Sequence, residues 1–428
     1  MGAVRPLPSQ ACRRYFHVVS MVQPITGGWL SMARPVVAAV VGSFLWGGLA
    51  LGEPLKIGVL TDMSGVIADT VGRGSVIAAE LAVSDAGGTA LGRTIEIISA
   101  DHQLKPDVGL TIARRWFDEE HVEAIADIPV STIALGIQNL AHTKGKIALI
   151  SGSGTLDLYG KSCSPTGFVW TFDTSVLPRA PVLSAAESGV KKWFAVGPDY
   201  SFGHQMERGV ADAVKETGGQ LVGTRRAAIG TSDYASLLLA AEEARPDAIA
   251  SSFAGHDGVL LIENAVEFGL LQKGIRIAGL MLFESDVHSL GLDRMKGIYT
   301  TTAFYWDTDD NTRNFAKRFS EKTGRPPSAL QAGVYSSVTH YLKAVKAAGT
   351  TSGPEVAKKM HELPISDLTT PSARIRADGR VLRDMFLVQV KSPEESKGPW
   401  DYFKVVRRMK VDELMSEAPN PDCKLASQ

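Results

Sequence analysis

The chain has 428 residues, which is long enough for two domains of ordinary size. Hydrophobic residues make up 44% and charged residues 21%, so the composition is that of a globular protein and excludes a largely disordered chain. The first 52 residues hold four Arg and no Asp or Glu, and the remainder is acidic, because the whole chain has 46 Asp and Glu against 45 Lys and Arg. An acidic chain argues against binding to nucleic acid or to anionic lipid.

Residues 1–52 are predicted to be an N-terminal extension and a cleaved signal peptide. Arg34 precedes an uncharged apolar stretch at 36–51, and 50–52 supplies the small residues that a signal peptidase requires. The apolar stretch is shorter than the roughly 20 residues of a membrane-spanning helix, which favours cleavage over a membrane anchor. A start at Met32 gives a conventional signal peptide by itself, and the choice between the two possible start sites stays open. The mature protein is expected in the periplasm.

From residue 55 onward, short apolar runs alternate with longer amphipathic runs. The elements predicted in the first half are strand 55–61, helix 74–85, strand 94–100, helix 107–119, strand 122–127, helix 133–142 and strand 146–150. The pattern starts again with strand 192–196, helix 201–216, strand 220–227, helix 233–244, strand 247–252, helix 258–269 and strand 276–281. Short strands separated by helices of about a dozen residues predict parallel sheets covered on both faces. The sequence therefore predicts two similar α/β units.

The last part of the chain departs from this regular alternation. The predicted elements are strand 298–303, helices 310–322, 328–348 and 355–361, and strands 372–376 and 385–390. Helices thus follow one another here without intervening strands.

Two cysteines, Cys163 and Cys423, remain after Cys12 in the N-terminal extension is set aside. An even number of cysteines in an oxidising compartment predicts a disulfide, with two free thiols as the alternative. Their spacing fits no zinc site and no Cys-x-x-Cys motif.

Motifs of enzymes and cofactor sites are absent from the sequence. Gly72 and Gly74 lie too far past the first strand for a dinucleotide-binding loop, and the third glycine is missing. Ser153 is not in a Gly-x-Ser-x-Gly context, and neither a phosphate-binding Gly-x-x-x-x-Gly-Lys loop nor a His-Glu-x-x-His motif occurs. No catalytic residue, cofactor or metal site is predicted, and a hydrolase remains the least favoured function.

Several segments carry a resemblance to a known family through their order and spacing. They are KIGVLTDMSG (56–65), ADHQLKP (100–106), SGSGT (151–155), PDYSFG (198–203), FYWD (304–307) and QAGVYSS (331–337). The chain thereby resembles the branched-chain-amino-acid-type periplasmic binding proteins, the type I solute receptors of ABC importers. The late segment KGPWDY (397–402) resembles a subgroup associated with aromatic acids.

The resemblance implies the type I periplasmic binding fold: an α/β protein with two doubly wound parallel-sheet lobes joined by a three-crossing hinge. It places the first lobe at 53–173 plus 303–382 and the second lobe at 174–302 plus 383–428. The crossings are expected near 172–175, 301–304 and 380–384. A disulfide between the two remaining cysteines would fasten the chain's tail close to the first crossing.

The ligand is expected beyond the carboxyl ends of the strands, in the cleft between the lobes. The predicted ligand-binding residues are Ser131, Thr132, Ser153, Gly154, Thr155, Tyr200, Gly255, His256, Phe283, Glu284 and Trp306. At Ser131 a helix start offers free N–H groups and a hydroxyl to a carboxylate, and ordinary helix capping is the alternative. Glu284 matches the region that holds the α-ammonium group in amino-acid binders, and Trp306 either walls the cleft or packs in the core.

The function implied by the resemblance is that of an extracytoplasmic receptor and not of an enzyme. The receptor would capture a small carboxylate, either a branched-chain or other apolar amino acid or an aromatic acid, between two closing lobes. Its partner would be the membrane permease of an ABC importer, with the receptor itself monomeric. A ligand-sensing module of the same fold that controls a regulator is the second interpretation.

Overall fold

The computed structural model describes residues 52–427, so most of the expected signal peptide lies outside the described residues. The strands are β1 (Leu55–Thr61), β2 (Thr89–Ala90), β3 (Arg93–Asp101), β4 (Val122–Asp127), β5 (Ile147–Ile150), β6 (Gly167–Val169), β7 (Lys192–Pro198), β8 (Gln220–Ala227), β9 (Ala248–Ser251), β10 (Arg276–Gly279), β11 (Tyr299–Thr302), β12 (Ala373–Ile375), β13 (Val381–Arg383), β14 (Met385–Val390) and β15 (Phe403–Met409). The α-helices are α1 (Gly72–Asp85), α2 (Pro106–Asp118), α3 (Ser131–Thr143), α4 (Val176–Glu187), α5 (Ser201–Glu216), α6 (Ala235–Ala244), α7 (Gly255–Glu267), α8 (Glu284–Leu290), α9 (Leu292–Met295), α10 (Asp310–Thr323), α11 (Ala329–Ala348), α12 (Gly353–Glu362) and α13 (Val411–Leu414). Short 3-10 helices occupy Leu156–Leu158 and Lys424–Ser427.

The first sheet has the strand order β2-β3-β1-β4-β5-β6. The pairs among β3, β1, β4, β5 and β6 are parallel, and β2 forms an antiparallel hairpin with β3. β4 and β5 are buried along their whole length, as expected of apolar strands covered on both faces. Helices α1, α10, α11 and α12 pack on one face, and α2 and α3 pack on the other.

The second sheet has the strand order β15-β14-β11-β10-β9-β7-β8. The pairs from β8 to β11 are parallel, and β14 and β15 extend the sheet in antiparallel fashion. Helices α4 and α5 cover one face, and α6, α7, α8 and α9 cover the other. The prediction of two parallel-sheet α/β lobes is confirmed.

The chain passes between the two sheets three times. The passages lie between β6 and α4, between β11 and α10, and between β13 and β14. After the second passage, α10, α11 and α12 join the core of the first lobe, and after the third passage β14 and β15 join the second sheet. The expected three-crossing hinge is therefore present.

The tail of the chain returns to the first lobe. The resemblance assigns 383–428 to the second lobe, but Cys423 forms a disulfide with Cys163 in the loop that precedes β6. The side chain of Arg376 also donates a hydrogen bond of 2.6 Å to the carbonyl of Ser416. After α13 ends at Leu414, the disulfide and the hydrogen bond from Arg376 hold the tail on the first lobe. The other residue boundaries of the lobes stay a prediction. Within the range 52–427, no helix is long and apolar enough to cross a membrane.

Candidate functional site

A cavity lies between the carboxyl ends of the two sheets, with about 640 Å³ of empty space when the adjoining open solvent is included. On the first sheet the loops after β1, β3, β4 and β5 contribute lining residues, among them Ile67, Leu104, Ser131 and Ser153. On the second sheet the loops after β7, β8, β9 and β10 contribute others, among them Tyr200, Ile229, Asp257 and Phe283. Parallel α/β sheets place their ligands at this edge, so the cavity is the candidate binding site.

Most of the cavity wall is apolar, and much of it is aromatic. Phe172 meets Phe202 edge to face, with the ring centroids 6.3 Å apart, and Tyr200 stacks on Phe202 at 6.0 Å. Burial raises the pKa of Tyr200, so its hydroxyl is neutral at physiological pH. Among the lining residues in the described part of the chain, none is Lys, Arg or His. The cavity therefore suits a ligand with an apolar or aromatic body.

Ser131 is the first residue of α3 and lines the cavity. Its side chain is 2% exposed, and its Oγ has no hydrogen-bond partner within residues 52–427. The residue at the N-cap position is Val130, whose apolar side chain cannot accept a hydrogen bond from the helix N–H groups. The Ser131 side chain does not accept one either. The first N–H groups of a helix also lack acceptors inside the helix. A buried hydroxyl beside free N–H groups is a ready anion-binding arrangement, and it costs free energy when left empty.

The loop before α3 is held in an unusual backbone conformation. Asp127, Ile128 and Val130 all have positive φ, at 75°, 52° and 75°. Such conformations are costly for residues other than glycine and persist where surrounding contacts enforce them. Here Ser153 contributes, because its Oγ donates a hydrogen bond of 2.9 Å to the carbonyl of Ile128. Ser153 therefore lines the cavity, but its hydroxyl donates its hydrogen bond to the neighbouring loop and so stabilises that loop.

Asp257 is a buried acidic residue in the wall of the cavity. It lies in the first turn of α7 and is 3% exposed. One carboxylate oxygen, Oδ2, accepts a hydrogen bond of 2.9 Å from the backbone N–H of Gly230. The other, Oδ1, forms no well-aligned hydrogen bond within 52–427, and the nearby Tyr234 hydroxyl is the donor that interacts with this carboxyl group. Burial raises the pKa of Asp257 above its ordinary value, and the Gly230 N–H and the Tyr234 hydroxyl offset this only in part.

Gly255 and His256 lie at the edge of the cleft, where the two lobes touch. The backbone N–H of His256 donates a hydrogen bond of 3.0 Å to the carbonyl of Val66, which belongs to the loop after β1. A Cβ on Gly255 would lie 2.2 Å from that same oxygen. These residues line a second, open cavity at the cleft mouth together with Ser64, Asp69, Ser285 and Asp286. Their position therefore makes them part of the contact between closed lobes.

Other predicted site residues lie apart from the cavity. Thr132 is exposed on α3, and a Cβ on Gly154 would meet the ring of Phe172, so that glycine is needed for packing at the first crossing. The hydroxyl of Thr155 is buried without a partner in the described part of the chain, yet it does not line the cavity.

Glu284 and Trp306 also face elsewhere. Phe283 lines the cavity, but Glu284 begins α8 and is turned into the protein, where burial raises its pKa to about 8. The indole of Trp306 donates a hydrogen bond of 2.9 Å to the carbonyl of Trp400 and packs beside both cores.

Several cavity residues were not predicted from the sequence. Among them are Val66, Ile67, Leu104, Phe172, Phe202 and Leu330. The rule that ligands lie beyond the carboxyl ends of strands would have found those after β1 and β3, since their loops meet the same edge. Leu330 belongs to α11, far away in sequence, and gives no such signal. In residues 52–427, no group of His, Cys, Asp and Glu side chains is arranged to hold a metal ion.

Comparison with known proteins identifies the family. A family model described as periplasmic binding protein matches residues 54–399. A solved periplasmic binding protein from Burkholderia mallei is 38% identical, with a TM-score of 0.84 and coverage of 87% of this chain and 99% of that chain. A branched chain amino acid ABC transporter periplasmic ligand-binding protein from Burkholderia xenovorans LB400 is also 38% identical, with a TM-score of 0.78. The match covers 87% of this chain and 100% of that chain.

A more distant structure shares the fold. It is the solute-binding protein of an ABC transporter from R. palustris in complex with benzoate, which is 20% identical, with a TM-score of 0.76 and coverage of 87% of this chain and 100% of that chain. The chain therefore belongs to the periplasmic binding proteins, a family of extracytoplasmic solute-binding proteins of ABC transporters that are not enzymes.

Proposed function

We propose that this protein is the receptor of an ABC importer and that it captures a small monocarboxylate with an apolar or aromatic body. The observation that carries the proposal is the buried, unpartnered Oγ of Ser131 at the start of α3, facing an apolar cavity. A ligand carboxylate would accept hydrogen bonds from this hydroxyl and from the first N–H groups of the helix. The aromatic wall would bury the rest of the ligand.

Within this class, an aromatic acid fits the cavity better than an amino acid. The α-ammonium group of an amino acid lies next to its carboxylate, so it would sit beside Ser131. Among the described lining residues from the first sheet's loops and α11, none is acidic, and Glu284 does not reach the cavity. The benzoate complex of the R. palustris protein supports this choice, while the name of the B. xenovorans protein supports a branched-chain amino acid.

Transport would follow from closure of the lobes on the ligand. Ligand contacts on both lobes shift the equilibrium toward the closed form, which docks on the membrane permease, and no bond chemistry is involved. The receptor would act as a monomer in the periplasm after cleavage near 50–52. Loss of high-affinity uptake of the identified acid in cells that lack the protein, with recovery on re-expression, tests the importer role against a sensory role.

Isothermal titration calorimetry on the mature protein tests the ligand class. Benzoate and leucine are compared with benzamide and leucinamide, which keep the body of the ligand but lack the carboxylate. We expect a carboxylate to bind and to raise the melting temperature, because binding to the native state stabilises it, and the matching amide to bind much more weakly. The proposal is wrong if only sugars, polyamines or metal ions bind.

A further inference from the structure

The tail of the chain after β15 is attached first to one lobe and then directly to the other. α13 belongs to the second lobe, since Leu414 and Met415 are buried in the core that α4 and α5 cover. The backbone N–H of Val411 also donates a hydrogen bond of 3.0 Å to Oδ1 of Asp384, which directly precedes β14 of the second sheet. Up to Met415, the tail is therefore part of the second lobe.

From Ser416 onward, the contacts of the tail are with the first lobe. The carbonyl of Ser416 accepts a hydrogen bond of 2.6 Å from Nη1 of Arg376, and the backbone N–H of Asn420 donates one of 2.8 Å to Oδ2 of Asp378. Both partners lie in the turn between β12 and β13, and these two strands pack in the core of the first lobe. Arg376 and Asp378 are themselves a buried ion pair, with side chains 9% and 0% exposed, so they form a fixed attachment point.

The far end of the tail is fastened covalently. Cys423 is buried and forms the disulfide with Cys163 in the loop before β6. Between the two ends, Glu417 pairs with Arg374 of β12, and a Cβ on Gly160 would lie 3.0 Å from Nδ2 of Asn420. The tail is thus held on the first lobe at 416, 417, 420 and 423.

The step from one lobe to the other has no slack. Met415 is buried in the second lobe and the next residue, Ser416, is hydrogen-bonded to the first, while consecutive Cα atoms are only about 3.8 Å apart. The lobes of such a protein open by rotation about the chain segments of the hinge, here the three crossings. The tail adds a fourth connection between the lobes, outside those three crossings.

We propose that residues 415–423 form a strap, closed by the bond between Cys163 and Cys423, that limits how far the lobes separate when no ligand is bound. A wider opening would pull Ser416 away from Arg376 or Met415 out of its core, and each of these changes costs free energy. The strap therefore keeps more of the unliganded protein near the closed form, so that less of the binding free energy is needed for closure. This role is independent of which ligand fills the cavity.

Two hydrogen bonds between the lobes make their separation measurable. The backbone N–H of His256 donates to the carbonyl of Val66 at 3.0 Å, and the backbone N–H of Leu156 in the first lobe donates to Oε1 of Gln205 in α5 at 2.6 Å. Both amides are released when the lobes separate, so their hydrogen–deuterium exchange in the absence of ligand follows opening. Exchange at the buried strands β4 and β9 follows unfolding of the lobes instead.

Lengthening the strap tests the inference while the disulfide stays intact. Insertion of Gly-Ser-Gly-Ser between Met415 and Ser416 adds up to about 13 Å of reach. The matched control carries the same insertion between Gly87 and Gly88, where both ends lie on the first lobe and a Cβ on either glycine would meet no atom of the described chain within 4 Å. Exchange at the two inter-lobe amides should become roughly threefold or more faster in the strap variant and stay unchanged in the control. Small-angle X-ray scattering should show a larger radius of gyration for the ligand-free strap variant alone.

A second variant removes the covalent end of the strap without lengthening it. Cys163→Ser combined with Cys423→Ser should accelerate exchange at the same two amides. If these amides exchange at the wild-type rate in both variants, the tail does not limit opening and the inference is wrong. It is also overturned if β4 and β9 accelerate as much as the inter-lobe amides, because the change is then a general loss of stability. No ligand is used in these measurements, so failure of every carboxylate to bind would overturn the proposed function and leave the strap standing.

Discussion

Asp173 and Arg380 form a buried ion pair at the hinge, with Nε of Arg380 2.7 Å from Oδ2 of Asp173. Asp173 lies in the first crossing and Arg380 directly precedes β13, the strand that leads into the third crossing, and their side chains are 2% and 1% exposed. Arg380 also donates to the carbonyl of Val381, and Asp173 accepts from the N–H and hydroxyl of Ser175. Burial by itself raises the pKa of Asp173, but Arg380 and the Ser175 bonds outweigh it and hold the pKa below its ordinary value. The ion pair therefore links two chain segments of the hinge to each other.

Arg380→Met should destabilise the protein strongly. The substitution keeps most of the side-chain volume but leaves Asp173 buried without its counter-charge, and breaking such a pair costs about 3–5 kcal/mol. Urea unfolding at pH 7 measures the loss. Arg294→Met is the matched control, because Arg294 pairs with Glu263 on the surface and its loss should cost less than about 1 kcal/mol. Equal losses of unfolding free energy for the two substitutions would show that the buried hinge pair contributes no more to stability than the exposed pair.

The sequence predicted the parallel-sheet lobes well and some elements not at all. The buried strands of both sheets are short runs of Ile, Val, Leu and Ala, which give an unambiguous signal. α4 was missed because Pro178 and Pro181 lie within it. β15 was missed because it is an edge strand whose middle residues are exposed, so its sequence carries no apolar face.

The candidate site was predicted in part for an equally physical reason. Chain position places Ser131, Ser153, Tyr200 and Phe283 beside the cavity, since each follows the carboxyl end of a parallel strand. It does not determine which way neighbouring side chains turn. Glu284 is one residue beyond Phe283 at the start of α8, yet it is buried and does not line the cavity.

Ser131→Ala should weaken carboxylate binding without greatly affecting stability. Removal of one hydrogen bond to a charged group should lower affinity roughly 10- to 100-fold, and the helix N–H groups keep some binding. Affinity for the matching amide should fall much less. Thr132→Ala removes a neighbouring exposed hydroxyl and serves as the control, with affinity unchanged. A Ser131→Ala protein that loses about 1 kcal/mol of stability at unchanged affinity would instead indicate a capping role.

Asp127→Asn should stabilise the protein much more at pH 8 than at pH 4.5. Neither carboxylate oxygen of Asp127 forms a well-aligned hydrogen bond within 52–427, and burial raises its pKa to about 7 against the opposing effect of the nearby Thr61 and Ser75 hydroxyls. Because the folded pKa lies above the ordinary value of 3.8, the wild-type protein loses stability as the pH rises from about 4 to about 7. The positive φ of Asp127 is tolerated by Asn.

The expected size follows from the pKa difference. A shift of one pKa unit corresponds to about 1.4 kcal/mol, so a rise from 3.8 to about 7 should make the Asn variant more stable by about 4 kcal/mol at pH 8. Denaturant unfolding of both proteins across the pH range measures this. Parallel pH profiles for the two proteins would contradict the assignment of the titration to Asp127.

The disulfide between Cys163 and Cys423 should be present in the exported protein and should stabilise it. It closes a loop with a sequence separation of 260 residues, for which the chain-entropy model gives roughly 4–5 kcal/mol, an upper value for most proteins. Cys423→Ser should therefore lower the unfolding free energy by a few kcal/mol. Titration of the denatured, unreduced protein with a thiol reagent should find neither of these thiols, and finding both would show that the bond does not form.

Gly255→Ala should impair closure of the lobes. The added methyl group would lie 2.2 Å from the carbonyl oxygen of Val66 on the opposite lobe, and it would displace the adjacent hydrogen bond from His256. We expect ligand affinity to fall by about tenfold or more, which corresponds to ~1.4 kcal/mol, because the ligand must then bind a less closed form. Small-angle X-ray scattering with saturating ligand should show a larger radius of gyration for the variant than for the wild type.

Gly218→Ala separates this effect from backbone strain. Gly218 also has a positive φ, at 70° against 58° for Gly255, but no atom lies within 4 Å of the position of its Cβ. Both substitutions therefore carry a similar conformational cost in the folded state, which should appear as a similar loss of melting temperature. Only Gly255→Ala adds a contact across the cleft, so only that variant should lose affinity. If both variants bind the ligand as tightly as the wild type, the contact between Gly255 and Val66 does not belong to the ligand-bound state.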